Sequence, residues 1–204
     1  GDIVQGDKTG DTPLSEIVKE YIKHKYNKPG AVYLGTVHRL DRPTSGVVIY
    51  ARTSKALERL NKMLRDKTIK KTYWAVVKNE PKKQTDTLIN YLKKNPKNNK
   101  STAYPKEVDG SKKAILHYQI LKKLDNYCLL EIDLETGRHH QIRVQLSKIG
   151  ATIKGDLKYG AKRSNKDGSI HLHARKIEFT HPVSKELIKI TASTPKDPIW
   201  DACL

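Results

Sequence analysis

Residues 114–134 constrain the fold more than any other segment. They hold two alternating apolar runs, 114–122 and 127–134, joined by the short turn Leu124-Asp125-Asn126. So brief a connection brings the second run back antiparallel to the first. Residues 70–78, rich in Thr, Tyr, Trp and Val, add another strand. Further strands are expected at 47–51, 151–154, 171–179 and 186–192. Helices are expected at about 12–26, 54–66 and 139–148. The first has Thr12 as N-cap and Pro13 at its first position. The second is capped by Thr53 or Ser54, and the third stops at Gly150. Strands and helices do not alternate regularly, no glycine-rich phosphate fingerprint follows a strand, and no repeat is visible. The expected class is α+β: one domain over 1–204, with a mixed, mainly antiparallel sheet flanked by helices and loops. Residues 93–113 carry Lys, Asn, Pro and Ser with little apolar content, which predicts a mobile basic surface loop.

Charge narrows the partners. Lys and Arg number 40 against 22 Asp and Glu, a net +18. This excludes an acidic solvating tail and favours a polyanion: RNA, DNA or an anionic membrane. Apolar runs stop at about four residues, far below the roughly 18 of a membrane span, and no signal-peptide pattern is present. Cys128 and Cys203 lie far apart and read as free thiols in a reducing cytoplasm, with Cys128 in the core.

Two segments could carry chemistry. In Arg39-Leu40-Asp41-Arg42-Pro43-Thr44-Ser45-Gly46, one carboxylate lies between two arginines in a turn before a buried strand. A neighbouring guanidinium lowers an aspartate pKa by roughly 1–3 units. Asp41 would then stay ionised and act as nucleophile or base. The same segment also reads as a salt-bridged turn. The second segment, Thr136-Gly137-Arg138-His139-His140-Gln141-Ile142-Arg143, opens a helix and suits a phosphate or carboxylate, or is an ordinary basic helix start. Arg143, one turn in, is placed to pair with a buried Asp. His139, His140, His171 and His173 lack a zinc-site spacing, so no metal is expected. Tyr73 and Trp74 are strand neighbours facing opposite sides, one toward the core and the other available to a base.

Together these segments resemble the RluA-type pseudouridine synthases. His38 to Gly46 matches His-Arg-Leu-Asp-x-x-Thr-Ser-Gly, Lys71 to Val77 matches Lys-x-Tyr-x-Ala-x-Val, and Thr136 to Arg143 matches the Thr-Gly-Arg-x-His-Gln-Ile-Arg motif. Gly155 to Gly160, Leu172-His173-Ala174 and Phe179-Thr180-His181-Pro182 follow in the family's order. The family's N-terminal strand with Lys-Pro-x-Gly and the S4 module of some relatives have no counterpart, and Gln145 stands where many members have His.

The resemblance implies the pseudouridine synthase fold, with an active-site cleft across the sheet. It also implies conversion of uridine to pseudouridine in RNA without metal or cofactor. By motif position Asp41 is the essential aspartate, attacking C1′ or taking the C2′ proton. Arg143 pairs with it. Tyr73 stacks on the uracil and participates in the loss of the C5 proton. Leu172 closes the other face of the base. Arg39 fills the space left by the flipped nucleotide, and Arg138, His140 and Gln141 join in substrate binding. The expected partner is a stem-loop of tRNA or rRNA; no membrane partner is expected, and the chain is expected to be a cytoplasmic monomer. A non-catalytic RNA-binding relative is the alternative. A metal-dependent nuclease using Asp41, Asp156 and histidines is a third reading, distinguished by shortened RNA and sensitivity to a chelator.

Overall fold

The computed structural model describes residues 3–6 and 10–204. At the sheet's centre lies β4 (Lys70–Val77), antiparallel both to β8 (Cys128–Leu134) and to β9 (Leu172–Thr180). Ala75, Val76 and Val77 are fully buried, as a strand covered on both faces requires. Beyond β8 come β7 (Lys112–Lys123), β5 (Thr85–Asn95) and β6 (Lys100–Tyr104), which ends one edge. Beyond β9 lies β10 (Leu187–Thr191) at the other edge. Every pairing along this path is antiparallel. A two-residue strand, β2 (Ser45–Gly46), adds to β9 in parallel, so the sheet is mixed. A separate antiparallel ribbon joins β1 (Gly35–Thr36) to β3 (Tyr50–Ala51).

Alternation along the strands sorts residues between two faces. Tyr73, Ala75 and Val77 share a core with Leu130 and Ile132 and with Ile142 and Leu146 of α3 (Gln141–Lys148). On the opposite face, Val76 and Leu129 pack against Trp200 and Cys203 of α4 (Pro198–Cys203). This short C-terminal helix is absent from the sequence reading, although Asp197-Pro198 is a recognisable start: the Asp197 carboxylate accepts from Ile199 N–H and Trp200 N–H. Helix α2 (Ser54–Arg65) begins as expected, with the Thr53 hydroxyl accepting from Ala56 N–H at 3.1 Å. Helix α1 (Leu14–Lys25) starts later than the Thr12 cap predicts. Pro13 holds the cap position, and Leu14 N–H is satisfied by the Ile3 carbonyl at 2.7 Å. Among the described residues no helix is long and apolar enough to cross a membrane.

Two expectations are corrected here. Residues 93–113 do not form a mobile loop: they contain the end of β5, the turn, β6 and the start of β7. Ser101 and Ala103 point inward between exposed lysine and threonine. Leu92, Ala103 and Ala114 make a small core with Val144 and Tyr159. Lysine-rich composition masked a period-two pattern whose inward residues are small. The strand expected at 47–51 is likewise split. Val47 N–H still bonds to the Ala174 carbonyl at 3.0 Å, but the chain then leaves the main sheet for the ribbon at Tyr50.

Candidate active site

Asp41 sits in a tight turn fastened to the sheet. Its carbonyl accepts from Thr44 N–H at 2.8 Å, and the Pro43 carbonyl accepts from Ile170 N–H at 2.9 Å. Ser45 and Gly46 then pair with His173 and Ala174 of β9. Gly46 has φ +121°, and a Cβ there would lie 2.4 Å from the Ala174 carbonyl oxygen. Glycine is therefore what allows the aspartate turn to lie against β9. His38, at the start of the same motif, accepts from Ile49 N–H at 3.1 Å. Burial, aided by the nearby Lys71 charge, lowers its pKa to about 4, which suits this acceptor role.

Arg143 of α3 connects Asp41 to the core. Its Nη1 lies 3.3 Å from Asp41 Oδ2, while Nε and Nη2 grip Asp156 at 2.7 and 2.8 Å. Asp156 is 1% exposed and Arg143 5%, whereas the Asp41 side chain is 29% exposed. A two-pronged bond to one carboxylate thus fixes the guanidinium and leaves Nη1 for the other. Gly155 (φ +86°) sets the backbone for Asp156; a Cβ there would meet Asn165 and the Ser169 carbonyl at 2.9 Å. Asp156 is the residue whose part the sequence reading missed. Its signal was the Gly155-Asp156 pair in the motif, read there only as a possible metal ligand.

The arginines flanking Asp41 in sequence are not its partners. Arg42 pairs with Asp11 at 2.7 Å, and Arg39 is exposed. The expected lowering of the Asp41 pKa is also corrected: burial raises it above the ordinary carboxylate range, and Arg143 offsets this only in part. Asp41 therefore gains a proton more readily than a free aspartate does.

Tyr73 of β4 and Leu172 of β9 lie on adjacent strands, with Leu172 paired to Ala75 and Tyr73 to Ala174. Both are buried in the core cluster against which Leu40 packs. Burial, with a contribution from the Asp41 charge, pushes the Tyr73 phenol well above its usual pKa, so its hydroxyl is held neutral. Trp74 faces the other side of the sheet. Arg175 lies over its ring at 4.3 Å, and its indole N–H donates to Glu131 at 3.2 Å. Arg138 is exposed, with Nε on the Lys113 carbonyl at 3.0 Å. Gln141, expected in substrate binding, is instead 3% exposed. Its carbonyl accepts from the Thr136 hydroxyl and Arg138 N–H, and its amide donates to the Ile115 carbonyl. These bonds lock the turn that leads into α3. His171 and His173 are also engaged: His171 with Asn165 and Asp197, His173 with Ser45 and the Ala192 carbonyl.

Residues 1–148 match the model of the RNA pseudouridylate synthase family. The chain belongs to that family. Ribosomal large subunit pseudouridine synthase C of Buchnera aphidicola is 39% identical over 192 residues, covering 90% of this chain and 58% of the relative. An uncharacterised RNA pseudouridine synthase of Synechocystis is 35% identical over 164 residues, covering 79% and 50%. Among solved structures, human RNA pseudouridylate synthase domain containing 4 superposes with a TM-score of 0.81 at 21% identity. It covers all of this chain and 85% of that one. The pseudouridine synthase fold is thereby established. The chain spans about half the length of the curated relatives it matches.

Proposed function

We propose that this chain isomerises uridine to pseudouridine in structured RNA, with Asp41 as the essential carboxylate. The observation that carries the proposal is the asymmetric sharing of Arg143. Asp156 holds the guanidinium in the core, and Asp41, more exposed, receives its remaining contact at one oxygen. An oriented carboxylate whose other oxygen has no hydrogen-bond partner among the described residues suits attack at C1′ of the ribose or removal of the C2′ proton.

The remaining roles are those the resemblance to the family's motifs implies. The uracil stacks against Tyr73, with Leu172 closing the other side. Arg39, exposed two residues before Asp41, enters the space left by the flipped nucleotide. Because the Tyr73 hydroxyl is neutral, a water or transient partner shares the loss of the C5 proton. Arg138 and the lysines of the β5–β6 hairpin contact phosphates. The chain acts as a cytoplasmic monomer. Relatives named for the large ribosomal subunit make large-subunit rRNA the first substrate to test, with tRNA second.

The test uses rRNA and tRNA transcripts tritiated at uracil C5. Release of tritium with RNA of unchanged length is expected, as is its loss in Asp41→Asn. Shortened RNA would favour a nuclease. Binding of both RNAs without release by the wild-type chain would favour a binding module and overturn the proposal.

A further inference from the structure

Arg143 is not the only side chain facing Asp41 Oδ2. His140 Nε2 lies 3.7 Å from the same oxygen, and its neighbours identify which ring nitrogen carries the proton. The Tyr159 hydroxyl accepts from Ser101 N–H at 2.8 Å and lies 2.9 Å from His140 Nδ1. An amide N–H can only donate, so the hydroxyl's own hydrogen is left for Nδ1. Among the described residues the hydroxyl has no other acceptor. Nδ1 therefore accepts, and the ring proton belongs on Nε2, the atom aimed at Asp41. Burial and the adjacent Arg143 charge lower the His140 pKa to about 2, so the ring is neutral.

Neighbouring groups also hold the ring in place. His140 adopts a left-handed conformation, φ +53°, immediately before α3. Few residues with a side chain adopt this conformation, histidine more readily than most. His139 stacks on the ring at 3.8 Å, and its Nδ1 and carbonyl both engage the Ser101 hydroxyl, at 2.9 and 2.8 Å. Ser101 of β6 thus fixes one imidazole directly and the other through Tyr159.

We propose that His140 is a positioning residue: its Nε2–H, fixed on that nitrogen by Tyr159 and Ser101, holds Oδ2 of Asp41 beside Arg143 and leaves Oδ1 to meet the ribose. The inference rests on the reading of Asp41 given above. The 3.7 Å separation closes to hydrogen-bond contact when RNA fills the site, as such contacts commonly do. A hydrogen bond to an ionised carboxylate is worth about tenfold or more in rate. The edge hairpin, a candidate RNA contact, is thereby linked to the reacting carboxylate through named side chains.

Side-chain 15N spectra of the full chain test this without reference to turnover. His140 is expected to show the Nε2–H tautomer at neutral pH, and Asp41→Asn is expected to shift that resonance. Tyr159→Phe is expected to redistribute the tautomer and lower kcat about tenfold with KM for RNA unchanged. His140→Gln, which keeps a donor near the Nε2 position, retains most of kcat, whereas His140→Leu loses about tenfold. An Nδ1–H tautomer in the wild type, no shift in Asp41→Asn, or equal kcat in the Gln and Leu variants would overturn it. If the His140 variants fail to fold, the wild-type and Asp41→Asn spectra decide. If the wild type releases no tritium, the function reading fails, while the same spectra still decide the His140 geometry.

Discussion

Asp156→Ala would leave the Arg143 guanidinium, 5% exposed, with a single carboxylate contact at 3.3 Å in place of two bonds at 2.7 and 2.8 Å. Removing one partner of a buried ion pair costs about 3–5 kcal/mol. For a domain of this size ~1 kcal/mol lowers Tm by roughly 2–4 °C. The expected fall is therefore roughly 6–20 °C. Asp41→Asn should behave differently. Burial raises the Asp41 pKa in the folded chain, so the folded state binds its proton more tightly than the unfolded state. Ionised Asp41 thus opposes folding at neutral pH, and this burden is relieved as pH falls or when the charge is removed. Asp41→Asn should melt at or above the wild-type temperature while losing tritium release. Thermal melts of the three proteins in one buffer, with the release assay alongside, make the comparison. Asp156→Ala melting within about 2 °C of wild type, or Asp41→Asn falling as far as Asp156→Ala, would refute the division between a holding carboxylate and a reacting one.

Gly46→Ala should destabilise the chain by about 1–3 kcal/mol from overpacking, because its Cβ meets the Ala174 backbone; a urea melt should show this, and kcat should fall as the aspartate turn shifts. The ionised form of Asp41 is the acting one, so kcat at saturating RNA should drop with falling pH through its raised pKa. A profile flat down to the ordinary carboxylate range, about 4, would contradict this. Replacing Lys94 and Lys97 with alanine should weaken RNA binding and flatten its log–log salt dependence by roughly 0.7 per lost contact, read by a binding titration across salt concentrations; an unchanged slope would remove the hairpin from the RNA interface.

The class of the fold was legible because its strands announce themselves. Residues 70–78 and 114–134 carry strong β patterns, and the turn between the latter two strands forced an antiparallel pair. Asp41, Arg143, Tyr73 and Leu172 were picked out by motif; Arg143 contacts Asp41, and Tyr73 and Leu172 share one core cluster. What the sequence concealed were side chains whose work depends on distant partners. Gln141 looked polar and available, but its carbonyl is taken by Thr136 and Arg138 in its own turn, and its amide finds the Ile115 carbonyl only when β7 lies alongside. The Asp41 pKa was read from adjacent arginines, whereas its sign is set by burial, which sequence neighbours do not report. The β5–β6 hairpin was hidden by its lysines. An edge strand tolerates such charge and needs only small inward residues, here Ser101 and Ala103.

The two-residue seam between β2 and β9 has a consequence for how the protein is made. Ser45 meets His173 across 128 positions, and Asp41 meets Arg143 across 102. At roughly 5–20 residues added per second, the aspartate turn waits about 6–26 s for the strand that fastens it. During synthesis the motif is therefore present long before its geometry, and the aspartate turn is fastened only after β9 has been made. Slowing elongation between codons 46 and 173 should delay the onset of activity in a cell-free reaction without changing the final yield.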